Sequence, residues 1–118
     1  MLATVWNCRG VGRPPTIRRL KDTVMSNRPT LVFLMETKNK SNKLEKIRRD
    51  IGFSHRCYVN PIGITGGLAL WWNDNVDISI LKVSQNLIHF RCSDPSNSKW
   101  WFGSFIYAPS LEDQRSAL

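Results

Sequence analysis

Apolar residues along this chain fall in short blocks whose spacing changes once, near Gly66-Gly67. Leu2-Ala3-Thr4-Val5-Trp6 is a nearly continuous apolar run, which predicts a strand buried on both faces. It gives way to Asn7-Cys8-Arg9-Gly10-Val11-Gly12, a loop with two glycines. Pro14-Pro15 can open a helix, because proline is tolerated in the first turn. Beyond it Ile17, Leu20, Val24 and Met25 recur at helical spacing, with Arg18, Arg19, Lys21 and Asp22 on the other face. Asn27-Arg28-Pro29 ends that helix. Leu31-Val32-Phe33-Leu34-Met35 reads as a second buried strand, closing at Glu36-Thr37-Lys38. Strand, helix and strand in so short a stretch predict a right-handed crossover between two parallel neighbours.

A second helix follows from Leu44, Ile47 and Ile51, with Asn42 and Glu45 as a capping pair and Gly52 as its stop. Tyr58-Val59 suggests a short strand before a Pro61-Ile62-Gly63 turn. After Gly66-Gly67, residues 68–72, 76–83, 87–92 and 100–107 form four strand-like runs joined by short turn-rich links, the pattern of an antiparallel meander. Residues 110–118 look like the first turns of a helix. No internal repeat or linker interrupts the chain, and the element pattern is α/β.

Composition fits one globular domain: 118 residues, 42% hydrophobic and 22% charged. No stretch nears the roughly 20 apolar residues of a membrane span. Arg9 and Arg13 are followed by no long apolar run, which argues against a secretory signal. Three cysteines with no C-x-x-C pair exclude a disulfide scaffold and a four-cysteine zinc site, and point to a reducing, intracellular compartment.

Charge changes the picture more. The chain carries +8 overall, and residues 1–56 hold 13 Lys/Arg against 4 Asp/Glu. Residues 57–118 hold 4 against 5, so one half is basic and the other near neutral. Such an asymmetric field attracts polyanions, nucleic acid above all. The alternative is that Lys40, Lys43, Lys46, Arg48 and Arg49 are a solvated helix face.

Two polar residues stand at a position that matters. Asn7 and Glu36 each follow a buried strand, and ligand sites in parallel α/β sheets lie beyond the carboxyl ends of the strands. A carboxylate with a neutral amide beside it suits Mg²⁺, a hard ion that takes one or two carboxylates and keeps several waters. The alternative at this point is a turn or cap role for Asn7 and a solvated strand end for Glu36, which spacing alone favours.

Four motifs add to this reading. Trp6-Asn7-Cys8-Arg9-Gly10, Met35-Glu36-Thr37-Lys38, Gly66-Gly67-Leu68-Ala69-Leu70-Trp71-Trp72 and Ile106-Tyr107-Ala108-Pro109 occur in this order. Together they resemble the N-terminal part of an endonuclease/exonuclease/phosphatase domain, most like the endonuclease of plant LINE-type (non-LTR) retrotransposons. The resemblance covers essentially all of 1–118 and implies a four-layer α/β sandwich, two mixed sheets face to face with helices outside, truncated at its C-terminal side. It also implies hydrolysis of phosphodiester or phosphomonoester bonds with Mg²⁺, for which Mn²⁺ can substitute. Carried over by position, Glu36 would be the metal ligand, Asn7 would help orient metal and phosphate, and Tyr107 would contact the phosphate. From the basic balance of residues 1–56, Arg9, Arg13 and Lys38 near this site would touch nucleic acid, most simply DNA; the resemblance also implies a nuclear location.

Tyr107 can equally be a strand-end core aromatic. Trp71, Trp72, Trp100 and Trp101 read as core and sheet packing. The family's Asp-x-Asn and Ser-Asp-His motifs do not occur, and neither His55 nor His89 has the acidic neighbour of the latter. The expectation is therefore a nuclease-type domain inactive as this chain. A non-catalytic nucleic-acid-binding remnant, or a decayed relic without selected function, are the alternatives.

Overall fold

The computed structural model describes residues 2–108. It holds β1 (Ala3–Asn7), α1 (Pro14–Asn27), β2 (Leu31–Met35), α2 (Ser41–Ile51) and β3 (His55–Val59), then β4 (Leu68–Trp72), β5 (Asp77–Ser84), β6 (Leu87–Asp94) and β7 (Lys99–Ile106). The helix expected over 110–118 lies outside the described residues.

The N-terminal unit follows its pattern closely. Pro14 and Pro15 sit in the first turn of α1, and the chain leaves through Arg28 in the left-handed region, with φ 45°. β1 and β2 are parallel neighbours, in register from Ala3 opposite Leu31 to Asn7 opposite Met35. α2 ends at Gly52, whose φ of 101° suits a residue without Cβ and whose N–H donates to the Arg48 carbonyl. Leu20, Val24, Leu44 and Ile47 bury the helix faces against Val32, Leu34, Ala69 and Trp71 of the sheet. Met25, expected on that face, is 72% exposed. The apolar stripe of α1 ends at Val24.

The four-strand meander needs correction. β4 lies inside the first sheet, antiparallel to both β2 and β3, in the order β1-β2-β4-β3. All five of its residues are buried. A strand apolar on both faces gains most from a central position, where helices cover one side and a second sheet the other. The meander is therefore three-stranded, β5-β6-β7, and forms that second sheet. Ile88, Phe90 and Cys92 meet Leu31, Phe33, Leu68, Leu70 and Trp72 between the sheets, and Phe33 stacks on Phe105 at 4.6 Å.

β1 is not buried on both faces. It is the edge strand of the described sheet, and Val5 is 52% exposed. Trp71, Trp72 and Trp101 pack as expected, but Trp100 lies on the outer face of the second sheet, 53% exposed. The Asn42–Glu45 capping pair does not form either. α2 starts with Lys40 at its cap and no side-chain capping bond. Glu45 instead accepts Arg48 Nη2 at 2.5 Å and Arg56 Nε at 2.8 Å, charged partners that outcompete a backbone amide.

Candidate active site

β1 and β2 end level with each other, and the segments beyond them stay paired. Cys8 N–H donates to the Met35 carbonyl at 2.9 Å, Gly10 N–H to Glu36 at 2.8 Å, and Val11 N–H to Thr37 at 3.0 Å. From the other side, Thr37 N–H donates to the Gly67 carbonyl at 3.1 Å and Lys38 N–H to Gly66 at 2.9 Å. Residues 36–38 therefore run clasped between the β1–α1 loop and the entry to β4. The path needs left-handed backbone at Arg9, Glu36 and Lys38, with φ of 49°, 50° and 55°. Non-glycine residues hold that conformation at a cost of roughly 1–3 kcal/mol each, so the surrounding bonds must fix it.

At Glu36 this backbone breaks strand alternation and leaves the carboxylate at the end of the sheet, only 7% exposed. There it accepts the Tyr107 O–H on Oε1. Tyr107 follows β7 directly, its N–H held by the Asn86 carbonyl at 2.9 Å, and its ring packs on the inter-sheet core. The site is thus assembled from both sheets. On the helix side Cys8 feels the same carboxylate: burial foremost, and then the Glu36 charge, push its thiol up to about 12. A thiol kept neutral in this way is a packing group rather than a nucleophile.

Asn7 ends β1 in register with Met35, so its backbone stands beside that of Glu36. Its side chain is exposed, and its Oδ1 accepts the Arg9 N–H at 3.3 Å. Arg9, Arg13 and Lys38 are all exposed. The Lys38 chain crosses over Gly10, where a Cβ would lie 3.9 Å from its Cδ. Asn7, Glu36 and Tyr107 thus converge on one end of the sheets, with basic loops beside them.

The donors present are hard oxygens: the Glu36 carboxylate, the Asn7 amide and the Tyr107 phenol. They fit a cation of the Mg²⁺ class that keeps most of its waters, and not a thiolate- or imidazole-seeking metal. Among the described residues no three His, Cys, Asp or Glu side chains cluster tightly enough to form a closed cage. His55 begins β3 opposite Trp72, at the end of the sheet away from Glu36, with Nε2 2.5 Å from Asp74 Oδ1. His89 meets Ser104 Oγ at 2.5 Å, across the strand pair β6–β7. Neither reaches the site.

Two residues with no role assigned from sequence belong here. A Cβ on Gly67, φ 94°, would stand 2.3 Å from Thr37 Oγ1 and 3.3 Å from Lys38 N. Glycine is what lets β4 approach the Glu36 segment. Thr37 is fully buried, and its Oγ1 has no hydrogen-bond partner among the described residues. A glycine pair ahead of an apolar strand is a signal of close backbone approach; Thr37 stood in the sequence only as a member of the Met35–Lys38 motif, with no role of its own.

Residues 4–113 match the Endonuclease/Exonuclease/phosphatase family. The chain belongs to this family. No curated protein matches it. Among solved structures, the human nocturnin catalytic domain with bound sulfate superposes with a TM-score of 0.68 at 9% identity, over 99% of this chain and 54% of that one. An AP endonuclease from Leishmania major gives 0.63 at 12%, over 98% and 43%. A 3′ phosphatase from Neisseria bound to a product DNA hairpin gives 0.55 at 14%, over 80% and 38%. Identities this low carry the fold alone. The chain spans about half or less of each of these structures.

The family's two-sheet α/β fold accounts for the convergence at Glu36: β2 and β7, one from each sheet, deliver their ends to the same place. Among the described residues helices cover the first sheet, and no helix is long and apolar enough to cross a membrane.

Proposed function

We propose that this chain is part of a Mg²⁺-dependent phosphodiesterase acting on nucleic acid, DNA foremost, of the kind carried by LINE-type retrotransposons. The observation that carries the reading is the buried Glu36 carboxylate, held by Tyr107 at the strand ends beside exposed Arg9, Arg13 and Lys38. Glu36 is the metal ligand and Asn7 the second donor. A cation bound there would neutralise charge developing on phosphoryl oxygens. Tyr107 orients the carboxylate, and its phenol would contact the phosphate. Arg9, Arg13 and Lys38 attract the polyanion and set its path. The resemblance to nuclease structures, one of them bound to a product DNA hairpin, supports the substrate class.

The same geometry favours a chain that binds without cleaving on its own. Phosphoryl transfer depends on positioning and on electrostatic stabilisation, and groups that act as a unit fail together. The described residues bring one carboxylate and neither histidine to the site. General acid–base help alone is worth about 10²–10⁴-fold.

Supercoiled-plasmid nicking in Mg²⁺, with Glu36→Gln as control, tests the proposal together with binding measured over a salt series. The expected result is no nicking, with affinity falling about 0.9 log units per log salt for each duplex phosphate neutralised. Nicking that Glu36→Gln abolishes would show a complete site in this chain. Binding indifferent to salt would contradict the nucleic-acid reading.

A further inference from the structure

The outer surface of α1 and α2 carries charge of nearly one sign. Arg18 and Arg19 on α1, with Lys43, Lys46 and Arg49 on α2, are exposed. The exposed carboxylates of the two helices are Asp22 and Asp50 alone. Leu20, Val24, Leu44 and Ile47 turn the opposite faces of both helices onto the first sheet, so the cations share one solvent-facing layer. Arg13 and Lys40, at the two N-caps, are exposed as well and extend that layer.

Folding does not account for this arrangement. Glu45 takes Arg48 and Arg56, at 2.5 and 2.8 Å, and Arg19 lies over the Trp6 ring at 5.7 Å. Arg18, Lys43, Lys46 and Arg49 have no carboxylate partner among the described residues. Neither helix has an acidic residue in its first turn; Arg13 and Lys40 stand at the caps, and Lys43 lies in the first turn of α2. Cations there oppose the helix macrodipole. A face that served solubility alone would intersperse both signs.

We propose that this helix layer is a second surface for duplex DNA, separate from the Glu36 end, so that one chain holds two duplex segments. This goes beyond the reading above and needs no metal at Glu36. A duplex carries one negative charge per roughly 1.7 Å of its axis and releases counterions to a broad cationic surface. The 14 residues of α1 and 11 of α2 span roughly 21 and 17 Å, about half a turn of duplex. Single strands are held by stacking on aromatic rings, and no exposed residue of either helix is aromatic. The layer faces away from the sheets, whereas Glu36 lies at the strand ends, and a duplex is too stiff to follow both over so short a path. Contacts on the helix layer go to phosphates and read no sequence.

Calorimetric titration of the whole chain with a short duplex in Mg²⁺ should give two duplexes bound per chain. A variant combining Arg18→Gln, Lys43→Gln, Lys46→Gln and Arg49→Gln should bind one. Its overall salt slope should fall by about 0.9 for each phosphate contact removed. Arg9→Gln with Lys38→Gln, at the strand ends, should weaken the other duplex and leave the one on the helices. The four helix positions are exposed, so an unchanged thermal melt would separate the effect from unfolding. A helix variant with the stoichiometry and salt slope of wild type would overturn the second surface and leave the nucleic-acid reading standing. A wild-type chain that binds a single duplex, lost with Arg9→Gln and Lys38→Gln, would do the same. A chain that binds phosphatidylserine vesicles and no duplex would overturn both.

Discussion

Tyr107 and Glu36 lie 71 positions apart in sequence, yet the phenol O–H of one donates a hydrogen bond to the carboxylate of the other. The bond joins the last described strand of the second sheet to the end of β2 in the first. It fixes the carboxylate at the end of β2, while Gly10, Val11, Gly66 and Gly67 fix the backbone beneath it.

Tyr107→Phe removes that donor and keeps the ring in the inter-sheet core. A hydrogen bond to a charged group contributes about 1.5–3 kcal/mol. Urea unfolding at neutral pH should show a loss of that order with an unchanged m-value. A variant as stable as wild type would mean that Glu36 does not depend on Tyr107.

Gly67 and Thr37 should respond in opposite directions. Gly67→Ala forces a Cβ into Thr37 Oγ1 at a positive φ, and should cost roughly 2 kcal/mol or more. Thr37→Val removes a buried hydroxyl without a partner among the described residues, and should be neutral or slightly stabilising. Thermal melts of the two variants check this. A stable Gly67→Ala chain would show that the clasp is looser than the distances imply.

Stability should fall at alkaline pH. The Cys8 thiol moves from its ordinary 9.0 to about 12, mainly through burial, and Tyr58 moves from 10.0 to about 12 for the same reason. In each case the unfolded chain ionises first. The contribution is intact below about pH 9 and is lost as pH rises toward 12. At the acid end, the Arg48 hydrogen bond lowers Glu45, so its contribution holds above the ordinary 4.5 and disappears as pH falls through the lowered value. Urea titrations across pH should trace both limbs, and Cys8→Ala should flatten the alkaline one. A Cys8→Ala chain with an unaltered alkaline limb would contradict the burial of that thiol.

The β1-α1-β2 unit was legible because proline, a helical apolar stripe and two β-branched or leucine-rich runs each indicate one element. Asn7 and Glu36 were legible as strand ends for the same reason. β4 was misassigned to the meander because sequence adjacency is a poor guide when a strand is apolar on both faces. Its uniform burial, rather than its neighbours in the chain, decides its sheet. The Asn42–Glu45 pair was lost to Arg48 and to Arg56, the second a partner on another element. Tyr107 was quoted by its motif, but only tertiary structure could bring its phenol to Glu36. Thr37 stands in the Met35–Lys38 motif without a role of its own there, since its significance lies in what Gly67 leaves room for.

The central claim, that Glu36 with Asn7 holds a divalent cation, is met most directly by a Mn²⁺ titration followed through amide line broadening. Glu36→Gln keeps the side-chain shape and removes the charge. In wild type, amides of residues 7–11 and 36–38 should broaden first, and in Glu36→Gln that selective broadening should vanish. Equal broadening at the same Mn²⁺ concentrations in both chains would contradict the assignment.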